Sequence, residues 1–237
     1  MNKYKEILLD QFEKIDSTEE NNIKKGALLI KECIKNKGFI YIFGCGHSGL
    51  VAQDQFFRAG GFANVVPIMY EPLMLHISAS NSSRLEKLND EYLNFITNYK
   101  FTENDVFILI STSGKNAVPI EVAKYIKTKT TSKLITISSH NYIKLNDELI
   151  SKYGDININN HCVVGDAVIF NEQLNIYSSP TSTLNSVYVI NQLFLQSIID
   201  CQKENILVDI FQSGNIESNF KNNEKLLLKY KNNIKGL

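Results

Sequence analysis

Five short apolar runs recur along this chain with stretches of helical character between them, and that spacing restricts the fold more than any other feature. The runs are GFIYIF (38–43), NVVPI (64–68), DVFILI (105–110), KLITIS (133–138) and DININN (155–160). The middle ones are apolar throughout instead of alternating, as strands covered on both faces are. Helical segments are expected at about 48–58, 84–99, 116–128 and 141–151. Strand and helix in alternation point to a doubly wound parallel sheet of the α/β class.

Helices flank this core. Two are expected before the first strand, YKEILLDQFEKI and STEENNIKKGALLIKECIKNKG, the second opened by a Ser17/Glu20 capping box and striped by Ile23, Ala27, Ile30 and Ile34. After residue 161 the pattern turns irregular (HCVVGDAVIF), then polar (SSPTSTLNS), then into the long apolar helix TLNSVYVINQLFLQSIIDCQ and an amphipathic tail. At 237 residues one domain, 1–237, is expected, with a core at about 20–202 and terminal helices at 2–36 and 203–234.

Lys and Arg number 25 against 25 Asp and Glu, so no basic excess offers itself to nucleic acid, and any anion must be held locally. No stretch reaches the roughly 20 apolar residues of a membrane span, and the N-terminus lacks the apolar stretch of a signal peptide. Cys33, Cys45, Cys162 and Cys201 lie far apart without a C-x-x-C, which suits free thiols in the cytoplasm.

Ligands of doubly wound sheets bind at the carboxyl ends of strands. Gly44, Gly46 and Gly49 form a G-x-G-x-x-G after the first strand, with Glu71 near the place of a ribose-binding acid, so a dinucleotide site competes here with other anions. Two further loops decide between them. STSGKN (111–116) supplies hydroxyls from Ser111, Thr112 and Ser113, a turn at Gly114, and a helix start at Asn116. SSPTST (178–183) brings Thr181, Ser182 and Thr183 to the long helix, Ser182 or Thr183 serving as its N-cap. Three hydroxyl-bearing loops suit a sugar phosphate better than a pyrophosphate.

FGCGHSG, STSGKN and PTST together resemble the sugar isomerase (SIS) domain family, and GHSGLVAQDQFFRAGGFANVVPIMYEPLMLH resembles its stand-alone members of uncertain substrate. The resemblance implies a flavodoxin-like three-layer αβα sandwich with a five-stranded parallel sheet. It also implies a phosphosugar ligand and a homodimer or homotetramer with shared sites; an isomerase working without cofactor or metal is the expectation. Matched position by position, Ser111, Ser113 and Gly114 fall on the phosphate loop, Asn116 stands where many members have Thr, and Gly44, Gly46 and Ser48 fall on the sugar-side loop. His47 and Arg58 depart from the pattern, and Arg58 takes the place of a Glu in metal-dependent heptose isomerases.

Isomerisation needs a base to move a proton between C1 and C2 and a second group for the ring oxygen. Glu71 is the expected base, with His76, Asp166 and His47 as further candidates, while His140 and His161 read as structural. An etherase-like lyase and a phosphosugar sensor remain the alternatives to an isomerase.

Overall fold

The structure, a computed structural model, describes residues 2–88, 94–145 and 148–237. It is the α/β arrangement expected: a five-stranded parallel sheet between two layers of helices, with helical extensions at both ends. In chain order come α1 (Lys3–Lys35), β1 (Ile40–Gly44), α2 (His47–Gln55), β2 (Val65–Pro67), α3 (Leu75–Leu85), α4 (Asn94–Thr97), β3 (Val106–Ile110), α5 (Ala117–Lys129), β4 (Lys133–Ser138) and β5 (Ile156–Asn159). A hairpin of β6 (Ala167–Asn171) and β7 (Ile176–Pro180) follows, then α6 (Ser182–Lys203) and α7 (Phe220–Tyr230).

The sheet order is β2-β1-β3-β4-β5. The order reverses between β1 and β3, the position where such sheets open a crevice. β1 and β3 are buried along their whole length. Their β-branched residues, Ile40, Ile42, Val106, Ile108 and Ile110, face a core built with α1, α2 and α6. Tyr41, Phe43, Phe107 and Leu109 alternate to the other face, against α5 and Ile96 of α4. Pro67 is accommodated because β2 is an edge strand.

Four expectations change. The N-terminal region is one helix of 33 residues, not two. Ser17 does not cap: its hydroxyl donates to the Glu13 carbonyl at 2.8 Å, and Thr18 does the same to Lys14. The buried seam of Gln11, Ile15, Glu19, Ile23 and Ile30 runs straight through the expected break, so packing overrides the local signal. Helix also lies earlier than 84–99: α3 ends at Leu85 and bends at Ser78, and residues 89–93 lie outside the described residues. The 141–151 segment is not an α-helix but 3-10 turns at His140–Leu145 and Ile150–Lys152, with 146–147 outside the described residues. Finally, the region after 161 contains the β6–β7 hairpin, which the irregular reading missed.

Beyond α6 the chain returns to the sheet edge, where Phe62 and Ile210 form an antiparallel bridge, and α7 closes over Ala63 and Phe211 through Leu226. Among the described residues no helix is long and apolar enough to cross a membrane.

Candidate functional site

In the parallel register Gly44 lies beside Ile110, so Cys45 and Ser111 leave the sheet side by side and their loops share one cleft. A Cβ on Gly44 would meet the Ser48 backbone at 2.6 Å, so only glycine lets α2 start this close to β1. Gly46 holds φ +55° and ψ −124°, a conformation side chains avoid, and its amide donates to the Leu73 carbonyl at 3.1 Å. The Ser82 hydroxyl donates to that same carbonyl at 2.8 Å, which pins α3 against the loop.

The cleft has a volume of about 520 Å³. It brings together Gly46, His47 and Ser48 from the first loop, Ser111, Thr112 and Ser113 from the second, and Asp166 and Ser182 from the region of the third. Ser82, Ser83 and Glu86 of the α3 segment and Tyr142 complete the wall. The Gly114 amide donates to Ser111 Oγ at 3.3 Å, and the Ile150 amide donates to the Gly114 carbonyl at 2.9 Å. These bonds fix the turn that aims the loop at the cleft.

The third loop behaves differently from expectation. Neither Ser182 nor Thr183 caps α6, whose N-cap position is Thr181, a fully buried residue without a side-chain capping bond. Asp166 caps the helix from outside: its Oδ1 accepts the amides of Thr181 (2.9 Å) and Ser182 (2.8 Å), and its Oδ2 accepts the Ser182 hydroxyl at 2.6 Å. The Cys162 thiol donates to Oδ1 at 3.0 Å as well. A carboxylate satisfies these amides better than a hydroxyl, because it brings charge to the positive end of the helix. Burial works to raise the Asp166 pKa; the thiol, hydroxyl and amide donors outweigh it and hold the carboxyl below its usual range. Asp166 is therefore a structural anchor of the cleft wall and a poor proton shuttle. Thr181 and Thr183 are not among the lining residues.

Glu71 and His76 are not brought into the cleft. Glu71 lies exposed in the 3-10 turn Glu71–Leu73, and His76 lies exposed in the first turn of α3. Besides Asp166, the cleft is lined by the carboxylate of Glu86, which is not among the residues expected from the sequence. Burial pushes its pKa up, against the lowering effects of a hydrogen bond with Asn116 and of nearby Lys87. Its carbonyl accepts the Val118 amide at 3.0 Å, which fastens the end of α3 to the first turn of α5. Burial and the charge of Glu86 likewise raise the Cys45 thiol well above its ordinary value, so that thiol is unreactive. His161 supports the fold as expected, its Nε2 lying 2.8 Å from Thr18 Oγ1 of α1.

With the cleft thus defined, three comparisons bear on it. Residues 3–139 match the family described as SIS domain. A UPF0309 protein of Geobacillus kaustophilus is 39% identical over 240 residues, covering 99% of this chain and 95% of its own length. A UPF0309 protein of Listeria innocua is 36% identical over 240 residues, with 99% and 97% covered. Among solved structures, phosphoheptose isomerase from Neisseria gonorrhoeae superposes with a TM-score of 0.50 at 16% identity, over 83% of this chain and 93% of that one, a likeness of fold.

Proposed function

Because the chain belongs to the SIS domain family, we propose that its cleft binds a sugar phosphate and interconverts the aldose and ketose forms without a cofactor. The observation that carries this reading is a partly buried carboxylate with a raised pKa, Glu86, in one cleft with the hydroxyls of Ser111, Thr112 and Ser113. The hydroxyls of Ser111, Thr112 and Ser113 on a turn held open by Gly114 suit a phosphoryl group. A carboxylate with a raised pKa is suited to take a carbon-bound proton and return it.

In the open-chain aldose Glu86 removes the proton from C2 while O1 gains one, which leaves an enediol. The same carboxyl then delivers its proton to C1 as O2 loses its own, and the ketose results. His47, exposed at the cleft mouth, is the group on hand to exchange the oxygen-bound protons. Glu86 replaces Glu71 in this role.

The test is proton exchange. Incubated in deuterium oxide with fructose 6-phosphate and glucosamine 6-phosphate in turn, the wild-type protein is expected to place solvent deuterium at a sugar carbon. Glu86→Gln is expected to lower that rate by at least about 100-fold while binding persists. Binding without exchange in the wild type would replace the isomerase with a sensor; undiminished exchange in Glu86→Gln would move the base elsewhere.

A further inference from the structure

We infer that Lys115 is the cation that receives the phosphate, a residue that selects phosphorylated over unphosphorylated sugars. The inference rests on the phosphosugar reading of the cleft. A phosphate monoester carries close to two negative charges at neutral pH. Among the described residues, the lining includes two carboxylates, Glu86 and Asp166, and neither Lys nor Arg. Hydroxyls and amides can bond the phosphoryl oxygens, but they leave the charge of the ligand facing carboxylates of the same sign.

Lys115 sits on the hydroxyl loop itself, between Gly114 and Asn116, and is exposed. It forms no ion pair among the described residues, and its ammonium lies 5.9 Å from the centre of the Tyr142 ring. Tyr142 lines the cleft, and its hydroxyl accepts the Gly165 amide at 2.9 Å, next to Asp166. The ammonium is thus parked at the rim by a cation–π contact, which is weak at an exposed site and gives way to a charge-assisted bond with phosphate. Among the described residues, several other cations are engaged elsewhere. Arg58 is held by Asp54 and Arg84 by Asn81, and Lys124 pairs with Glu121 and Glu148, while the charge of Lys87 acts on the Glu86 carboxylate. A flexible four-carbon stem carrying a compact charge suits a group that must swing from ring to ligand.

The experiment measures binding of inorganic phosphate and of fructose 6-phosphate by calorimetry, at low and at physiological salt. Lys115→Met keeps the apolar stem and removes the charge; Lys115→Arg keeps the charge. For Lys115→Met, binding is expected to weaken by more than threefold, with about tenfold as the central value for one charge-assisted bond, and to lose most of its salt dependence. Lys115→Arg is expected to stay within threefold of wild type. The melting temperature of the unliganded Met variant is expected to match wild type. Phosphate affinity in Lys115→Met within threefold of wild type overturns the role, as does a lowered melting temperature with unchanged affinity, which marks a structural contact. Wild type that binds neither probe overturns the phosphosugar reading itself. Lys115→Gln, measured in parallel, serves if the Met variant fails to fold.

Discussion

Asp166 and Glu86 share a cleft wall, and their surroundings send their proton affinities in opposite directions. Asp166 adopts φ +68°, a strained backbone for a residue with a side chain, and four donors hold its carboxylate in place. Asp166→Asn is expected to destabilise the fold by about 1–3 kcal/mol in urea denaturation, because one acceptor oxygen is replaced by an amide that cannot accept. The pH dependence follows from the depressed pKa. A carboxyl that is more acidic folded than unfolded contributes its full stability above the unfolded pKa, about 4, and loses it as pH falls through the folded value. The gap between wild type and Asp166→Asn is therefore expected to be constant from pH 7 to 5 and to shrink below pH 4; a gap that grows on acidification would refute the capping role. Asp166 stands among the candidate acids in the sequence, but its capping role was not legible there, since its partners lie 15 and 16 residues ahead. Glu86 was not legible at all. A glutamate in a Ser, Arg, Lys and Asn-rich stretch reads as a solvated face until α5 is laid over it.

At the scale of elements, the strands were legible and the helices less so. Continuous apolar runs identify buried strands because the sheet is covered on both sides. Helix ends depend on caps, and the cap of α6 comes from a tertiary neighbour, Asp166; contacts between helices are equally hidden from a local reading. The seam between α1 and α6 shows this. Gly26 lets the helices approach so closely that a Cβ there would lie 2.8 Å from Leu193 Cδ2. The Asn185 amide nitrogen donates to Gln11 Oε1 at 3.0 Å and to the Asn160 carbonyl at 2.9 Å, so one buried side chain joins α1, α6 and the end of β5. Asn185 and Gln11 lie 174 residues apart in the chain, and no local pattern announces the pair. Asn185→Ala leaves two buried acceptors unpaired and is expected to cost about 2 kcal/mol or more. A double-mutant cycle with Gln11→Ala is expected to return a coupling of about 0.5–3 kcal/mol; additive losses would mean that the Asn185–Gln11 bond does not hold the two helices together.

At the scale of the whole molecule, the cleft is a consequence of strand order. Reversal between β1 and β3 brings residues 46–48 next to 111–113, and the covering helices add Glu86 and Ser182 from segments about 100 residues apart. The convergence of three loops was legible from their hydroxyls. The roles were not, because the third loop is held to its helix by Asp166 and reaches the cleft only with Ser182. A ligand seated there bridges segments that unfolding would separate, and it binds only when all of them are assembled. Its effect is therefore expected on global stability. At 100 times its Kd a ligand adds about 2.7 kcal/mol, which for a chain of this length raises the melting temperature by roughly 5–10 °C. The same ligand is expected to slow amide hydrogen exchange at 46–48, 111–116 and 181–183 together, since the loops close on one group. Protection confined to the first loop alone, with no protection at 111–116, would return the dinucleotide reading of Gly44, Gly46 and Gly49 to the front. Protection of the second and third loops without the first would place the phosphoryl group away from the β1 end and deprive His47 of its part in the reaction.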